Sequence, residues 1–139
     1  MNKSVTKIRV RYAETDKMGI VHHANYYVYF EAAREDFIEA VNLKYSDMED
    51  MGIMMPIVET ECKYHEGARY GDDILIETSL EKLSPIKVEL NYKVIRACDG
   101  KTLANGKTAQ VFVDSKSFKI IRLNKKYPEV WKKFEKIEL

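Results

Sequence analysis

The stretch RYAETDKMGIVHHANYYVYFEAARE, Arg11–Glu35, decides the fold of this chain. It leads from the end of a strand-like run into a short loop that contains Gly19, and then into a helix pattern that is apolar almost all round. One carboxylate, Asp16, lies in the loop, and the helix is predicted to begin a few residues later, near His23 to Asn25. A carboxylate beside a helix start is close to free backbone N–H groups. Acyl-transfer chemistry requires a base or nucleophile next to such donors.

The helix is predicted from about Ala24 to Val41, because apolar residues recur there at spacings of three and four. These residues are Tyr26, Phe30, Ala33, Phe37 and Ala40. Three further apolar residues at 27–29 widen the apolar surface beyond one stripe, so we expect other elements to surround this helix. We also expect the side-chain oxygen of Asn25 to cap the helix start.

Most of the remaining chain is predicted to form antiparallel strands, because apolar and polar residues alternate. The predicted strands are 5–12, Pro56–His65, Ile74–Glu81, Ile86–Arg96, Thr102–Asp114 and Lys119–Leu123. Asp99-Gly100 predicts a hairpin turn. A short helix at 46–52 and a last one at Pro128–Phe134, with Pro128 in its first position, complete the pattern.

These elements predict an α+β fold in which one antiparallel sheet wraps around one long central helix. One sheet on one helix buries little surface for 139 residues, and the edge strands need to be covered. We therefore expect a homo-oligomer, with a dimer as the minimum and a tetramer as the expected assembly.

Composition and charge are those of an ordinary globular chain, with 45% hydrophobic residues, 32% charged residues and a net charge of +1. The length predicts a single domain over 1–139. The lysines are spread along the chain, so neither nucleic acid nor a membrane surface is indicated as a partner. No apolar run approaches the ~20 residues of a membrane span, and the start MNKSVTKIRV has no signal-peptide pattern. We expect a cytoplasmic protein in which Cys62 and Cys98 are buried, reduced thiols.

The opening stretch, from Tyr12 onward, resembles the signature of the 4-hydroxybenzoyl-CoA thioesterase-like family of acyl-CoA thioesterases. The family pattern is roughly aromatic-x-x-x-D-x-x-G-x-V, then a short spacer and an aromatic-rich Asn-Tyr segment that opens the helix. The matching residues are Tyr12, Asp16, Gly19, Val21, Asn25 and Tyr26. A later run, YHEGARYGDDILIETSLEKL, is similar to the segment that these enzymes carry after their second strand. The resemblance implies the hotdog fold and hydrolysis of an acyl-CoA to free acid and CoA.

Asp16 is the catalytic residue that the resemblance implies. From the residues alone, an aspartate in a glycine-bearing loop is more often a turn residue. By resemblance Asp16 matches the catalytic aspartate, which acts either as nucleophile toward the thioester carbonyl or as base for the attacking water. The sequence leaves both roles open.

His23 is the second catalytic residue that the resemblance implies, and it would act through its backbone. Its N–H would reach the thioester oxygen, where free donors and the positive end of the helix dipole stabilise an oxyanion. The imidazole has two open interpretations, a polar partner for Asp16 or a satisfied interior histidine. Neighbouring residues on a helix point about 100° apart, so His22 and His23 do not form a chelate. Neither a metal nor a cofactor is predicted.

Four further residues are expected to contact the substrate. Gly19 forms a turn that lets the substrate approach the backbone. The resemblance implies an acyl pocket between subunits, so Val58 and Thr60 of the partner subunit are candidate lining. Arg69, in the loop HEGARYGD, is expected either to contact the substrate or to support its loop. The residues that bind the CoA phosphates are left unassigned, because most surface lysines are simply solvated.

Three other functions stay open. A hotdog hydratase or dehydratase uses a catalytic histidine together with a carboxylate, whereas here the aspartate precedes the helix. A non-catalytic acyl-CoA-binding protein has no need of a carboxylate at the thioester, so Asp16 argues against it. A substrate carried by acyl carrier protein in place of CoA calls for a basic docking patch, which the sequence does not show.

Overall fold

The computed structural model describes residues 2–137, which form a mixed series of strands and helices. In chain order these are β1 (Lys3–Arg9), a 3₁₀ turn (Tyr12–Glu14), α1 (Asn25–Ala40), α2 (Tyr45–Met51), β2 (Ile53–Met54), β3 (Ile57–Tyr64), β4 (Asp73–Ser84), β5 (Lys87–Arg96), β6 (Thr102–Val111), β7 (Val113–Asp114), α3 (Leu123–Lys126) and α4 (Pro128–Glu135).

Five of the strands form one antiparallel sheet in the order β1-β4-β5-β6-β3, and β2 pairs separately with β7. Alternate residues of β4 and β5 are buried, as their alternating sequence predicted. Helix α1 packs against β1 and β4. A long helix on one antiparallel sheet confirms the expected α+β hotdog arrangement.

The centre of the core is the contact between α1 and the middle of the sheet. Phe30 is fully buried and stacks on Tyr92 of β5, with ring centroids 4.4 Å apart. Gly106 of β6 lies directly under the Phe30 ring, because a Cβ at this position would approach that ring to 2.4 Å. The glycine is therefore what lets the helix approach the sheet this closely.

Several local predictions are confirmed. Helix α1 matches the predicted helix within one residue at each end, and α2 ends at Gly52, whose φ of +99° makes it a left-handed cap. The β5–β6 hairpin turns at Gly100, with φ +72°. Helix α4 begins with Pro128.

Other local predictions are wrong. Lys119–Leu123 is not a strand; Ile120 makes only an isolated bridge to Val113, and a short helix begins at Leu123. Cys98 is exposed in the β5–β6 turn because the hairpin carries it away from the core, while Cys62 is half-buried. Both thiols are free, as predicted.

Helix α1 is not surrounded by its own chain, in contrast to the prediction. Val28 is 57% exposed, and Glu31 and Ala32 of the same side are exposed too. Strand β3 is open as well: seven of its eight residues are exposed, although its alternation predicted one buried face. The helix covers the β1 side of the sheet and leaves the β3 side uncovered.

No helix in the described part of the chain is long and apolar enough to span a membrane.

Candidate active site

Asp16 lies at the start of a tight turn that its own backbone closes. Its N–H donates to the carbonyl of Ile20 at 2.8 Å, and the N–H of Gly19, with φ +80°, donates to the Asp16 carbonyl at 2.9 Å. The Met18 N–H donates to Asp16 Oδ1 at 2.9 Å. Oδ2 has no hydrogen-bond partner among residues 2–137. The turn therefore fixes the carboxylate through one oxygen and leaves the other available.

The start of α1 presents two free backbone donors. The first acceptors of the helix are the carbonyls of His22 and His23, which bind the N–H groups of Asn25 and Tyr26. Within the described residues, no acceptor binds the N–H of His23 or of Ala24. Such donors at the positive end of a helix stabilise negative charge.

Asn25 ties the helix start to the aspartate loop and does not cap the helix. Ala24 is the N-cap, and no side chain makes a capping hydrogen bond. The Asn25 Nδ2 instead donates to the carbonyl of Glu14 at 2.9 Å. Because Glu14 precedes Asp16 by two residues, this bond fixes the helix N-terminus relative to the carboxylate.

Glu14 anchors the same loop from inside the protein. Its carboxylate accepts hydrogen bonds from the Arg11 backbone and guanidinium and from the Tyr29 hydroxyl at 2.9 Å. Burial acts to raise the pKa of Glu14, but the bonds from Arg11 and Tyr29 outweigh it and leave that pKa below its ordinary value. Glu14 is therefore an ionised structural anchor.

A cavity of about 270 Å³ joins the aspartate loop to the helix start. Its lining is Asp16, Met18, Ile20, Val21, His23, Tyr26, Tyr64, His65, Glu66 and Gly67. The structure thus brings the two predicted catalytic residues together. It also adds Tyr64, His65 and Glu66 from the end of β3, which sequence reasoning missed.

Two tyrosines contribute hydroxyl groups to this cavity. The Tyr64 hydroxyl donates to the His23 carbonyl at 3.1 Å, and the Tyr26 hydroxyl lies 3.4 Å from the Ala68 N–H. Burial raises the pKa of both phenols above the ordinary value. Both therefore stay protonated at neutral pH.

The four predicted substrate-binding residues do not line this cavity. Gly19 and Arg69 are neighbours, since a Cβ on Gly19 would lie 3.8 Å from Arg69 Nη1 and Ile20 bridges Arg69. Gly19 is part of the Asp16 turn, and Arg69 lies beside it. Val58 and Thr60 lie on the open edge strand β3, with Val58 at a bulge. Their predicted contact with substrate stays a prediction.

The loop 65–72 forms the far wall of the cavity and packs on the aspartate loop. The Val21 N–H donates to the Ala68 carbonyl at 2.8 Å. Gly67 lies so close to Ile20 that a Cβ would approach its side chain to 2.5 Å. Glycine is thus required for this contact between the two loops.

Arg96, at the end of β5, holds this loop in place. Its Nη1 binds Glu66 at 2.6 Å and Asp99 at 3.0 Å, and its Nε binds Asp72 at 3.2 Å. Nη2 donates to the Gly67 carbonyl at 3.2 Å. Hydrogen bonds from Arg96 and Lys101 lower the pKa of Glu66. All of these partners belong to the protein, so Arg96 has a structural role here.

No group of three or more His, Cys, Asp or Glu side chains in the described part of the chain is placed to hold a metal ion.

Comparison with known proteins identifies the class. The profile of the Thioesterase-like superfamily matches residues 10–134. A Bacillus subtilis protein named "Putative acyl-CoA thioesterase YneP" is 35% identical over 136 residues, which cover 98% of each chain. The crystal structure of a DHNA-CoA thioesterase from Staphylococcus aureus matches with a TM-score of 0.93 and 34% identity, over 98% of this chain and 91% of that one. The gentisyl-coenzyme A thioesterase BH1999 matches with a TM-score of 0.78 and 27% identity, over 85% and 94%.

The chain therefore belongs to the Thioesterase-like superfamily. Within that class it is a hotdog-fold thioester hydrolase.

Proposed function

We propose that this protein hydrolyses the thioester of an acyl-CoA to the free acid and CoA. Asp16 acts on the thioester carbonyl, and the backbone N–H groups of His23 and Ala24 polarise the carbonyl oxygen. The observation that carries this proposal is that Asp16, with one free carboxylate oxygen, and His23 line the same cavity. The N–H groups of His23 and of the adjacent Ala24 have no acceptor among residues 2–137.

The chemistry needs a nucleophile or base on one side of the carbonyl and donors on the other. As a base, Asp16 takes a proton from water while the water oxygen attacks the carbonyl carbon; the C–S bond then breaks and the CoA thiolate is protonated. As a nucleophile, Asp16 attacks the carbonyl carbon, the C–S bond breaks and the CoA thiolate leaves and is protonated; water then cleaves the mixed anhydride, which releases the free acid and restores the Asp16 carboxylate. In both routes negative charge develops on the carbonyl oxygen, where the two N–H groups stabilise it. The geometry supports both routes equally.

The side chain of His23 has a lesser role in this scheme. Its backbone supplies the donor, and its carbonyl is fixed by the Tyr64 hydroxyl. A change of the imidazole leaves this donor in place.

A dimer built through β3 completes the site. This strand is unpaired on one side, and its large apolar side chains Ile57, Val58 and Tyr64 are exposed. Pairing two copies of β3 satisfies its free backbone groups and covers the open side of α1. It also brings Val58 and Thr60 of the partner subunit toward the cavity, which is the role that the sequence predicted. A tetramer of two such dimers and a location in the cytoplasm stay predictions.

The names of the relatives favour CoA as the carrier of the acyl group, since YneP, the DHNA-CoA enzyme and the gentisyl-coenzyme A enzyme are all named for CoA thioesters. Gentisyl is an aryl acyl group. Together with Tyr26 and Tyr64 in the cavity, this directs the choice of test substrates toward aryl-CoA.

The experiment is a thiol-release assay with short, long and aryl acyl-CoA substrates on the wild type and on Asp16→Asn. We expect hydrolysis by the wild type and a loss of at least about 1,000-fold in kcat for the variant, because it loses the only group that acts on the carbonyl or the water. Binding of acyl-CoA is expected to persist. His23→Ala is the matched variant, and we expect it to retain most of the activity because its backbone donor remains.

Retention of most of the kcat in Asp16→Asn would refute the assignment of the catalytic residue. Binding without thiol release by the wild type from any substrate would favour the non-catalytic acyl-CoA-binding function instead.

A further inference from the structure

Arg34 is a buried cation without an anionic partner. It lies in the middle of α1, is only 9% exposed, and makes a long hydrogen bond of 3.4 Å from Nη1 to the hydroxyl of Tyr92. No carboxylate oxygen of residues 2–137 lies within 4.0 Å of its guanidinium nitrogens. Removing a charge from water costs several kcal/mol unless other groups compensate it. A guanidinium has five N–H donors, so beyond its interactions with the hydroxyl groups of Tyr92 and Tyr45 it retains capacity to bind something else.

The buried hydroxyl groups around Arg34 are neutral, whereas the carboxylates of Glu31 and Glu35 on the same helix are exposed. Burial raises the pKa of Tyr45 to about 12, and it also raises the pKa of Tyr92. The Tyr92 hydroxyl lies 2.6 Å from Thr108 Oγ1 on β6. Two residues along the same strand, Gln110 is 1% exposed, and both polar atoms of its amide lack a partner in the described part of the chain. This part of the interior is therefore polar and incompletely satisfied.

A cavity of about 320 Å³ opens beside this arginine. We call it the Arg34 cavity, and its lining is Glu31, Arg34, Glu35, Tyr45, Met55 and Ile57. Gln110 pairs directly with Ile57 across the sheet. The volume suits a small organic group. A cation next to two carboxylates and apolar walls suits a group that is mainly apolar but carries a hydroxyl, which can both accept and donate.

The position of the Arg34 cavity relates it to the candidate active site of a second subunit. Ile57 begins β3 and lines the Arg34 cavity, whereas Tyr64 ends β3 and lines the Asp16 cavity. Within one chain, these positions are the two ends of β3, seven residue steps or roughly 24 Å apart. When two copies of β3 pair antiparallel along their full length, Tyr64 of one copy lies opposite Ile57 of the other. The Asp16 cavity of one subunit then adjoins the Arg34 cavity of its partner.

We propose that the Arg34 cavity receives the distal part of the acyl group that is bound at the partner subunit's Asp16, and that Arg34 selects acyl groups carrying a hydroxyl there. This inference rests on the proposed thioesterase function and on the pairing of β3. Arg34 contacts substrate in this role but does not act on the thioester.

The first test compares benzoyl-CoA with the three monohydroxybenzoyl-CoA isomers. We expect the wild type to prefer at least one hydroxylated isomer over benzoyl-CoA in kcat/KM. In Arg34→Met this preference falls by roughly 10- to 100-fold, the range for a hydrogen bond to a charged group, while benzoyl-CoA hydrolysis changes little. Arg34→Lys keeps the charge but loses the planar fork, so the preference falls less. Arg9→Met, on the exposed outer face of β1, is the matched control with an unchanged preference.

The second test asks whether Arg34 and Asp16 act across the subunit boundary. Asp16→Asn and Arg34→Met chains are mixed and allowed to exchange subunits. If the two cavities meet between subunits, each mixed dimer contains one site with both native residues. Activity on the preferred hydroxybenzoyl-CoA then rises to about a quarter of the wild-type value, because half of the randomly exchanged dimers are mixed.

The outcomes separate this inference from the proposed function. If the wild type hydrolyses other acyl-CoA substrates but none of these four, this inference alone is wrong; if it releases thiol from no acyl-CoA at all, the proposed function is wrong as well. If it hydrolyses them without preference for any hydroxylated isomer, or if Arg34→Met and Arg34→Lys leave that preference unchanged, this inference alone is wrong. It is also wrong if mixing the two variants restores no activity. A preference that falls in Arg34→Met, with recovery on mixing, supports it.

Discussion

The two edges of the sheet differ in how they are covered, and the difference indicates which edge is open to pairing with a second copy. On β1 the helix side is closed: Thr6 is buried and its hydroxyl donates to Asp36 of α1 at 2.6 Å. The outer face of β1 carries ion pairs such as Arg9 with Asp73 at 3.0 Å. On β3 the helix side is open and apolar side chains are exposed. Charged, covered edges resist pairing with other chains, and open apolar edges favour it.

The most direct test of the difference between the two edges is the same substitution on both. Val58 on β3 is 52% exposed and Val5 on β1 is 53% exposed, so burial in the single chain does not distinguish them. We expect Val58→Lys to shift the protein toward monomer and to lower kcat/KM by roughly 100-fold, because the site loses its partner walls. We expect Val5→Lys to change neither quantity. Size-exclusion chromatography with light scattering and a thiol-release assay measure the two effects.

Equal dissociation of Val5→Lys and Val58→Lys would show that the two edges do not differ in assembly. A Val58→Lys monomer with full activity would show that a single chain contains the whole site.

A smaller effect is expected from Arg96, which holds a part of the site that one chain forms by itself. Arg96 holds Glu66, Asp72 and Asp99 together behind the Asp16 cavity. In Arg96→Gln these carboxylates lose their shared cation, so we expect the loop 65–72 to shift and kcat/KM to fall roughly tenfold. The oligomeric state is expected to stay unchanged. Steady-state kinetics measure the first quantity and light scattering the second.

The control for this prediction is Arg9→Gln, which removes an exposed arginine–carboxylate ion pair from the outer face of β1 and is expected to keep the activity. If Arg9→Gln and Arg96→Gln lower kcat/KM to the same extent, the bonds of Arg96 to the loop 65–72 have no special role in the activity.

The smallest effect concerns the pH dependence of the β1 edge. A hydrogen bond and ion pair with Arg9 lower the pKa of Asp73 below its ordinary value of 3.8. The pair therefore adds stability at pH values above 3.8, and this contribution is lost as the pH falls through the lower pKa of the folded state. We expect Asp73→Asn to lower Tm slightly at pH 7 and to match the wild type at acidic pH. Thermal unfolding between pH 7 and pH 2 measures the difference; a difference that grows on acidification would contradict the prediction.

The parts of the site that sequence reasoning found are those that depend on neighbours in the chain. Asp16 and Gly19 form a turn of four residues, and the helix that starts at Asn25 follows from a spacing of three and four. The family resemblance assigned these residues their roles. Tyr64, His65 and Glu66 were missed because they reach the cavity from a strand about forty residues later.

The two arginines Arg34 and Arg96 also show what local sequence does not predict. Arginine is a residue type that usually lies at the surface, and nothing in the local sequence of Arg34 and Arg96 distinguishes them from the other arginines. Arg34 is buried and bonded to Tyr92 of β5, and Arg96 is engaged because two carboxylates of the loop 65–72 and one of the β5–β6 turn converge on it. Such partners are set by strand order, which local patterns do not specify.

The sequence by itself determined most of the element types, the α+β class, the Asp16 loop beside the helix start and the family, because turns and helices are short-range structures with recognisable spacings. Only the tertiary structure decided which walls enclose Asp16, which edge of the sheet is open and which cations are buried. The physical reason is that pairing register and burial depend on contacts between residues far apart in the chain, and side-chain alternation alone is equally compatible with a covered and an open strand.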